Sequence, residues 1–225
     1  MPMFFLKAAA AMAALCLTAS AQAVPPQEAA RDAAANQAHG LPPRTAPTEY
    51  LAHAQAGDVT IGAEFKGHNV PTAQNPLTTE DYVVVEIGLF GGPDAKLKIS
   101  AEDFTLRING KKQAIPSQPF GMVIGNVKDP EWEPPAAEKK SKGGGLSTGG
   151  GGQQDNTPPP PPKVPIEVQR AMAKNVQHAA LPEGERPLPQ AGLLFFQYHG
   201  KASGIHSIEL IYNGPAGKLT MPLQP

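Results

Sequence analysis

The chain has 225 residues, with 19 Lys and Arg against 20 Asp and Glu and a formal net charge of −1. That balance gives no general electrostatic drive toward nucleic acid or an anionic lipid surface, so neither is expected as a partner. With one cysteine, 26 prolines and 23 glycines, an internal disulfide framework is excluded, and the prolines and glycines must cluster outside any packed core.

Met1–Lys7 is short and positive, Ala8–Leu17 is apolar throughout, and Ala21-Gln22-Ala23 has the small-x-small form that signal peptidase accepts. Residues 1–23 are therefore expected to be a cleaved signal peptide, which makes the mature chain secreted or periplasmic. The apolar run falls short of the roughly 20 residues a spanning helix needs, so no membrane span is expected after cleavage. Cys16 lies inside that run and leaves with it. Leu15 just before it, and Ala13 in place of a leucine three residues earlier, do not fit lipid attachment.

Residues 24–56 are rich in Ala, Pro and Gln and poor in large apolar side chains, which predicts a disordered N-terminal tether. A domain over 57–225 follows. Val59, Ile61, Ala63 and Phe65 alternate with polar or small residues, the period-two pattern of a half-buried strand. Val83, Val85, Ile87 and Leu89 continue it within Glu80–Phe90, the most apolar strand after the signal peptide, and Gly91-Gly92-Pro93-Asp94 ends it. Phe104, Leu106 and Ile108 form a third strand. Asn109-Gly110 then predicts a hairpin into Lys111–Ile115, and another short strand is expected at Gly121–Val127.

Residues 131–163 carry two glycine runs, a charge cluster and Pro158–Pro162, with Leu146 the only large apolar side chain after Trp132. Ordering them would cost roughly 1–2 kcal/mol per residue. Leaving them loose costs only loop closure, about 3 kcal/mol. A disordered Gly/Pro-rich insertion is expected. At 165–181 the spacing of Val168, Met172, Val176 and Ala179 predicts one amphipathic helix, stopped by Pro182-Glu183-Gly184. Strands resume at Gly192–His199, His206–Asn213 and Lys218–Leu223. Many short strands with frequent turns and one helix point to an all-β sandwich.

Several blocks resemble one family. Tyr82-Val83-Val84-Val85-Glu86-Ile87 precedes Ser100-Ala101-Glu102-Asp103-Phe104-Thr105-Leu106 and an Asn-Gly-Lys-Lys turn. Leu-Pro-Gln-Ala-Gly then precedes Leu193–Tyr198, and Ser207–Tyr212 leads to a final Gly-Lys strand. This order resembles the immunoglobulin-like (telokin-like) domains of bacterial exported proteins of unknown function, over residues 58–127 and 188–225. The resemblance implies an immunoglobulin-like β-sandwich. It implies no active site.

Candidate chemistry is sparse. His199 and His206 flank the Gly200–Gly204 turn, but no third ligand completes a zinc site, and His39, His53, His68 and His178 are scattered. Gly217-Lys218-Leu219-Thr220 lacks the spacing and following helix of a phosphate loop, and the runs Gly143–Gly145 and Gly149–Gly152 lack its flanking elements. Ser100, Ser117, Ser203 and Ser207 have no nucleophile-elbow context. No catalytic, metal or cofactor-binding residue is assigned, and no cofactor is expected. Trp132, the sole tryptophan, sits in an acidic Pro-rich segment at the mouth of the insertion. It reads either as a cover for the edge of the core or as an anchor for a partner protein of the envelope. The expected function is an exported, non-enzymatic binding or structural module of the cell envelope; the alternative is a loop-assembled hydrolase or metal-dependent enzyme.

Overall fold

A computed structural model describes residues 37–132 and 164–225. The protein is all-β, with antiparallel ladders and two short helices among the described residues. Eight strands form one sheet in the order β1-β2-β5-β11-β8-β7-β12-β13. They are β1 (Ala52–Ala56), β2 (Val59–Gly67), β5 (Tyr82–Phe90), β7 (Phe104–Ile108), β8 (Ile115–Gln118), β11 (Gln190–Gln197), β12 (Ile208–Gly214) and β13 (Gly217–Leu223). A ribbon pairs β6 (Lys96–Ile99) with β10 (Gly184–Pro187), and a small sheet joins β3 (Asn69–Val70), β4 (Leu77–Thr79) and β9 (Val127–Lys128).

The sheet folds over at β8, which pairs with β11 through two residues and with β7 through two more. One half, β1-β2-β5-β11, then shares a core with the other, β7-β12-β13. Ile61, Val83, Val85, Ile87, Leu89, Leu194 and Phe196 come from the first half, and Phe104, Leu106, Ile108, Leu210, Tyr212 and Met221 from the second. Every one of these positions is on the face the two-residue periodicity assigns to the interior. Burying each large side chain contributes about 1.5–3 kcal/mol, which makes this interior the main source of stability.

A second core lies on the opposite face of β5 and β11. There Tyr82, Val84, Leu193 and Phe195 meet Val70, Leu77, Val123 and Val127. Over them lies α2 (Ile166–Ala179), which buries Met172, Val176 and Ala179. The helix falls within the expected 165–181, and the expected apolar stripe is the one it buries. β5 and β11 are thus apolar on both faces because both are covered, unlike a strand with one wet face.

Two expectations need correction. Residues 37–56, read as part of the disordered tether, are packed in their described portion. Residues 37–51 run over the sheet, Leu41 donating its N–H to Ala191 O at 2.9 Å, and 52–56 form β1. Few large side chains are needed: Ala38, Tyr50 and Ala56 are buried, Leu41 packs on the second core and Ala52 and Ala54 on the first, and polar contacts add to them. Gly121–Val127 is not a strand: Phe120–Val123 forms a helical turn, α1, followed by a 3-10 turn, and only Val127–Lys128 pair as β9. Lys96–Ile99 and Gly184–Pro187, to which the sequence assigns no strand, pair as β6 and β10. The expected signal peptide at 1–23, residues 24–36 of the expected tether and residues 133–163 of the expected insertion lie outside the described residues.

Candidate functional site

Trp132 is positioned by a turn that Asp129 organises. Asp129 Oδ1 accepts from the Glu131 N–H at 2.9 Å, and Asp129 O accepts from the Trp132 N–H at 3.3 Å. The indole, half-buried, then lines a groove with Val127, Val164, Val168 and Met172. Met172 and Val127 are also members of the second core, so the groove is where that core reaches the surface. Trp132 is half-buried and borders the groove beside Val127 and Met172. Trp132 and Val164, the described residues on either side of 133–163, both line the groove. Lys128 at its rim is paired with Glu80, Nζ to Oε1 at 2.6 Å. Met122 on α1 and Ile166 at the start of α2 are two of the most exposed large apolar side chains, at 60% and 52%.

The sequence reading missed a charge network on the outer face of β2 and β5. Arg44 Nη2 meets Glu64 Oε2 at 2.7 Å and Glu86 Oε1 at 3.0 Å, while Lys66 Nζ meets Glu64 Oε1 at 2.5 Å and Glu86 Oε2 at 3.1 Å. The Arg44 guanidinium also stacks over Tyr50, 4.2 Å from the ring centroid. Burial works against the charge on Glu64, but the hydrogen bonds and positive charges of Lys66 and Arg44 outweigh it and hold its carboxyl below the ordinary range. Two carboxylates matched by two cations leave a neutral cluster, whose role is to hold residues 37–51 on the sheet. No sequence signal marks it, because Arg44 lies in the segment read as a tether.

The histidines separate into structural pairs. His39 stacks on His178 with centroids 4.3 Å apart. His199 Nδ1 meets Asp81 Oδ1 at 2.9 Å, and His206 donates its backbone N–H to Asn109 Oδ1 at 2.7 Å. His68 lies between two carbonyls, those of Tyr82 and Gly200. Among the described residues no three His, Cys, Asp or Glu side chains are placed to hold a metal ion. Ser117 is buried and donates to Ala101 O at 2.7 Å, and Ser100 caps a 3-10 turn. Gly217-Lys218 opens β13 just after the two-residue turn Pro215-Ala216 from β12, and a strand rather than a helix follows it. No helix among the described residues is long and apolar enough to cross a membrane.

Comparison with protein-family models, with curated proteins and with solved structures gives no match to this chain.

Proposed function

We propose that the chain is an exported, non-enzymatic binding or structural module of the cell envelope that presents the Trp132 groove to a protein partner. The observation that carries this reading is the half-buried indole set among Val127, Val164, Val168 and Met172, an aromatic anchor beside apolar side chains. Such an arrangement is typical of the few residues that dominate binding energy in a protein interface. Export is supported by the signal-like order of Met1–Lys7, Ala8–Leu17 and Ala21-Gln22-Ala23. An immunoglobulin-like sandwich, and with it a likeness to telokin-like exported domains, is supported by two sheet halves closing over one core. The ladder itself runs on through β8.

Two measurements test the reading. Fractionation with N-terminal sequencing should find the mature chain outside the cytoplasm and beginning at Val24; an unprocessed cytoplasmic chain would overturn export. A photo-reactive amino acid at position 132 should yield one discrete cross-linked adduct in intact cells, and the same probe at exposed Lys111 should not. Equal yields at both positions would defeat the groove as a binding surface.

A further inference from the structure

A cleft of about 390 Å³ opens between the later turns of α2, residues 40–42 and the loop 72–74. That volume falls within the roughly 300–1,000 Å³ of small-molecule sites. Its walls are set by the fold. Met172, Val176 and Ala179 seat α2 on the second core. The 37–41 segment is pinned on one side by the His39 N–H, which donates to Gln177 O at 3.3 Å. On the other, the Leu41 N–H donates to Ala191 O at 2.9 Å. Between them Gly40 has a φ of 86°, and a Cβ there would meet Ala191 O at 2.6 Å, so glycine permits this close approach. Across the cleft, Thr72 Oγ1 donates to Asn75 O at 2.7 Å and accepts from the Gln74 N–H at 3.4 Å, which shapes the loop.

The polar groups lining this space are donors in want of acceptors. Lys174, Asn175 and His178 line it from one face of α2, at spacings of three and four, and Gln74 lines it from the loop. Among the described residues, the Lys174 ammonium and the side-chain amides of Asn175 and Gln74 make no hydrogen bond or ion pair. No Asp or Glu lines the cleft. An ammonium only donates, and each carboxamide brings two N–H donors, so the group that completes them is one that only accepts. The local field has the matching sign: partial burial, the facing His39 ring and Lys174 hold the His178 imidazole below its usual range. The C-terminal end of α2 opposes an anion with a partial charge of about half a unit, less than the full charge of Lys174. Two of its carbonyls are already occupied, Val176 O by the Ala180 N–H at 2.9 Å and Gln177 O by His39. Glu167, the acidic residue of α2, lies about 10 Å back along the axis from Lys174.

We propose that this cleft binds a small organic oxyanion, a carboxylate or a phosphate ester. Lys174, Asn175 and Gln74 hold the acid group, and Leu41, Pro42 and Ala179 lie against the apolar part. The site is separate from the Trp132 groove, which meets the earlier turns of α2 through Val168 and Met172, and does not rest on it. Backbone amide spectra of the mature chain test it, titrated at fixed ionic strength with butyrate, propyl phosphate and the uncharged butyramide. The amides of Leu41, Gln74 and Asn175 should shift and saturate below about 20 mM acid, with affinity about tenfold above that for butyramide. Saturation by one acid alone supports the site and assigns its ligand to that class. Lys174 is exposed, so Lys174→Gln should keep the parent spectrum away from the cleft while weakening both acids about tenfold. Asn175→Ala, which keeps the ammonium, should weaken them less. The site is overturned if neither acid saturates, if butyramide binds as tightly as butyrate, or if Lys174→Gln titrates like the parent.

Discussion

Glu64 and Glu86 are direct partners across the antiparallel β2–β5 ladder, and both carboxylates are bound by the same two cations, Arg44 and Lys66. Like charges directly opposite one another destabilise a sheet. Here their side chains are only 19% and 12% exposed, so water screens them poorly. Lys66 comes from β2 itself, but Arg44 comes from the segment before β1. The N-terminal segment is therefore part of the sheet's electrostatics, not an appendage to it.

Arg44→Ala should cost about 2 kcal/mol in urea unfolding, from lost charge-assisted bonds and the lost stack on Tyr50. Adding Glu64→Gln should recover part of that loss, because it removes one of the two opposed charges. An additive double variant would contradict the coupling. The depressed Glu64 carboxyl fixes the pH direction. Its stabilising contribution is complete above the ordinary carboxylate value of about 4.3 and fades as pH falls through the folded value. The Arg44→Ala chain should lose less stability than the parent between pH 5 and pH 2.

Tyr50 makes a second prediction. Gly62 and Gly88 are partners across the same ladder, and the Tyr50 ring lies over both. A Cβ on Gly62 would come 2.5 Å from Tyr50 Cδ2, and one on Gly88 would come 2.5 Å from Tyr50 Oη. Gly62→Ala should destabilise by about 1–3 kcal/mol through overpacking, and Tyr50→Leu in the same chain should relieve the clash. The Tyr50 hydroxyl is buried and makes no well-formed hydrogen bond, the Arg44 backbone being the polar group beside it. Tyr50→Phe removes that unmet group and should leave stability unchanged or raise it by up to about 1 kcal/mol. A loss above that in thermal unfolding would show a partner for the hydroxyl.

Much of this architecture is legible in the alternation of apolar residues. Val83, Val85, Ile87 and Leu89, or Ile208, Leu210 and Tyr212, announce their strands and inward face because one face is buried and period two is local. The stripe Val168–Met172–Val176–Ala179 announces α2 for the same reason. What is not legible depends on distant partners. Residues 37–50 look unstructured because Tyr50 is buried by two glycines twelve and 38 positions onward, and Arg44 by carboxylates on two strands. Gly184–Pro187 shows no strand pattern because it is an exposed ribbon supported by pairing with β6 rather than by burial. Trp132 is conspicuous by type, but its groove exists only once α2 has returned to pass beside it.

Asn109 makes the third prediction. The Asn-Gly turn forms, with φ of 53° and 63° and the Lys111 N–H donating to Ile108 O at 3.2 Å. Yet β7 and β8 pair only as far as Leu106 and Ile115, so no tight hairpin follows. The turn instead aims the Asn109 side chain at the loop 204–207. Oδ1 accepts from His206 at 2.7 Å and from Ser207 at 3.3 Å, and Nδ2 donates to Gly204 O at 2.8 Å. Asn109→Ala loses all three bonds and puts alanine, which tolerates the left-handed region less well than asparagine, at positive φ, so about 2–3 kcal/mol should be lost. Asn109→Gly loses the bonds but not the backbone fit and should cost less. Equal urea midpoints for the two variants would refute the role of φ.

His178 stacks on His39 with ring centroids 4.3 Å apart. Partial burial, the facing His39 ring and Lys174 one turn away all disfavour a proton on His178 and hold its imidazole below the usual range. Arg186, bonded to Gln37 Oε1 at 3.0 Å, adds positive charge on the strap side, and the 72–74 loop across the cleft offers Thr72 and Gln74 but no carboxylate. A base that is harder to protonate when folded supports the fold above the ordinary imidazole value, about 6.5, and withdraws that support as pH falls. The contact at stake is the one holding residues 37–41 against α2. Amide protection at Leu41, bonded to Ala191 O, should therefore drop on going from pH 7.5 to pH 5 after correction for the intrinsic exchange rate. His39→Gln should abolish that step while leaving the protection of β5 intact, and a step of unchanged size in the variant would place its origin elsewhere.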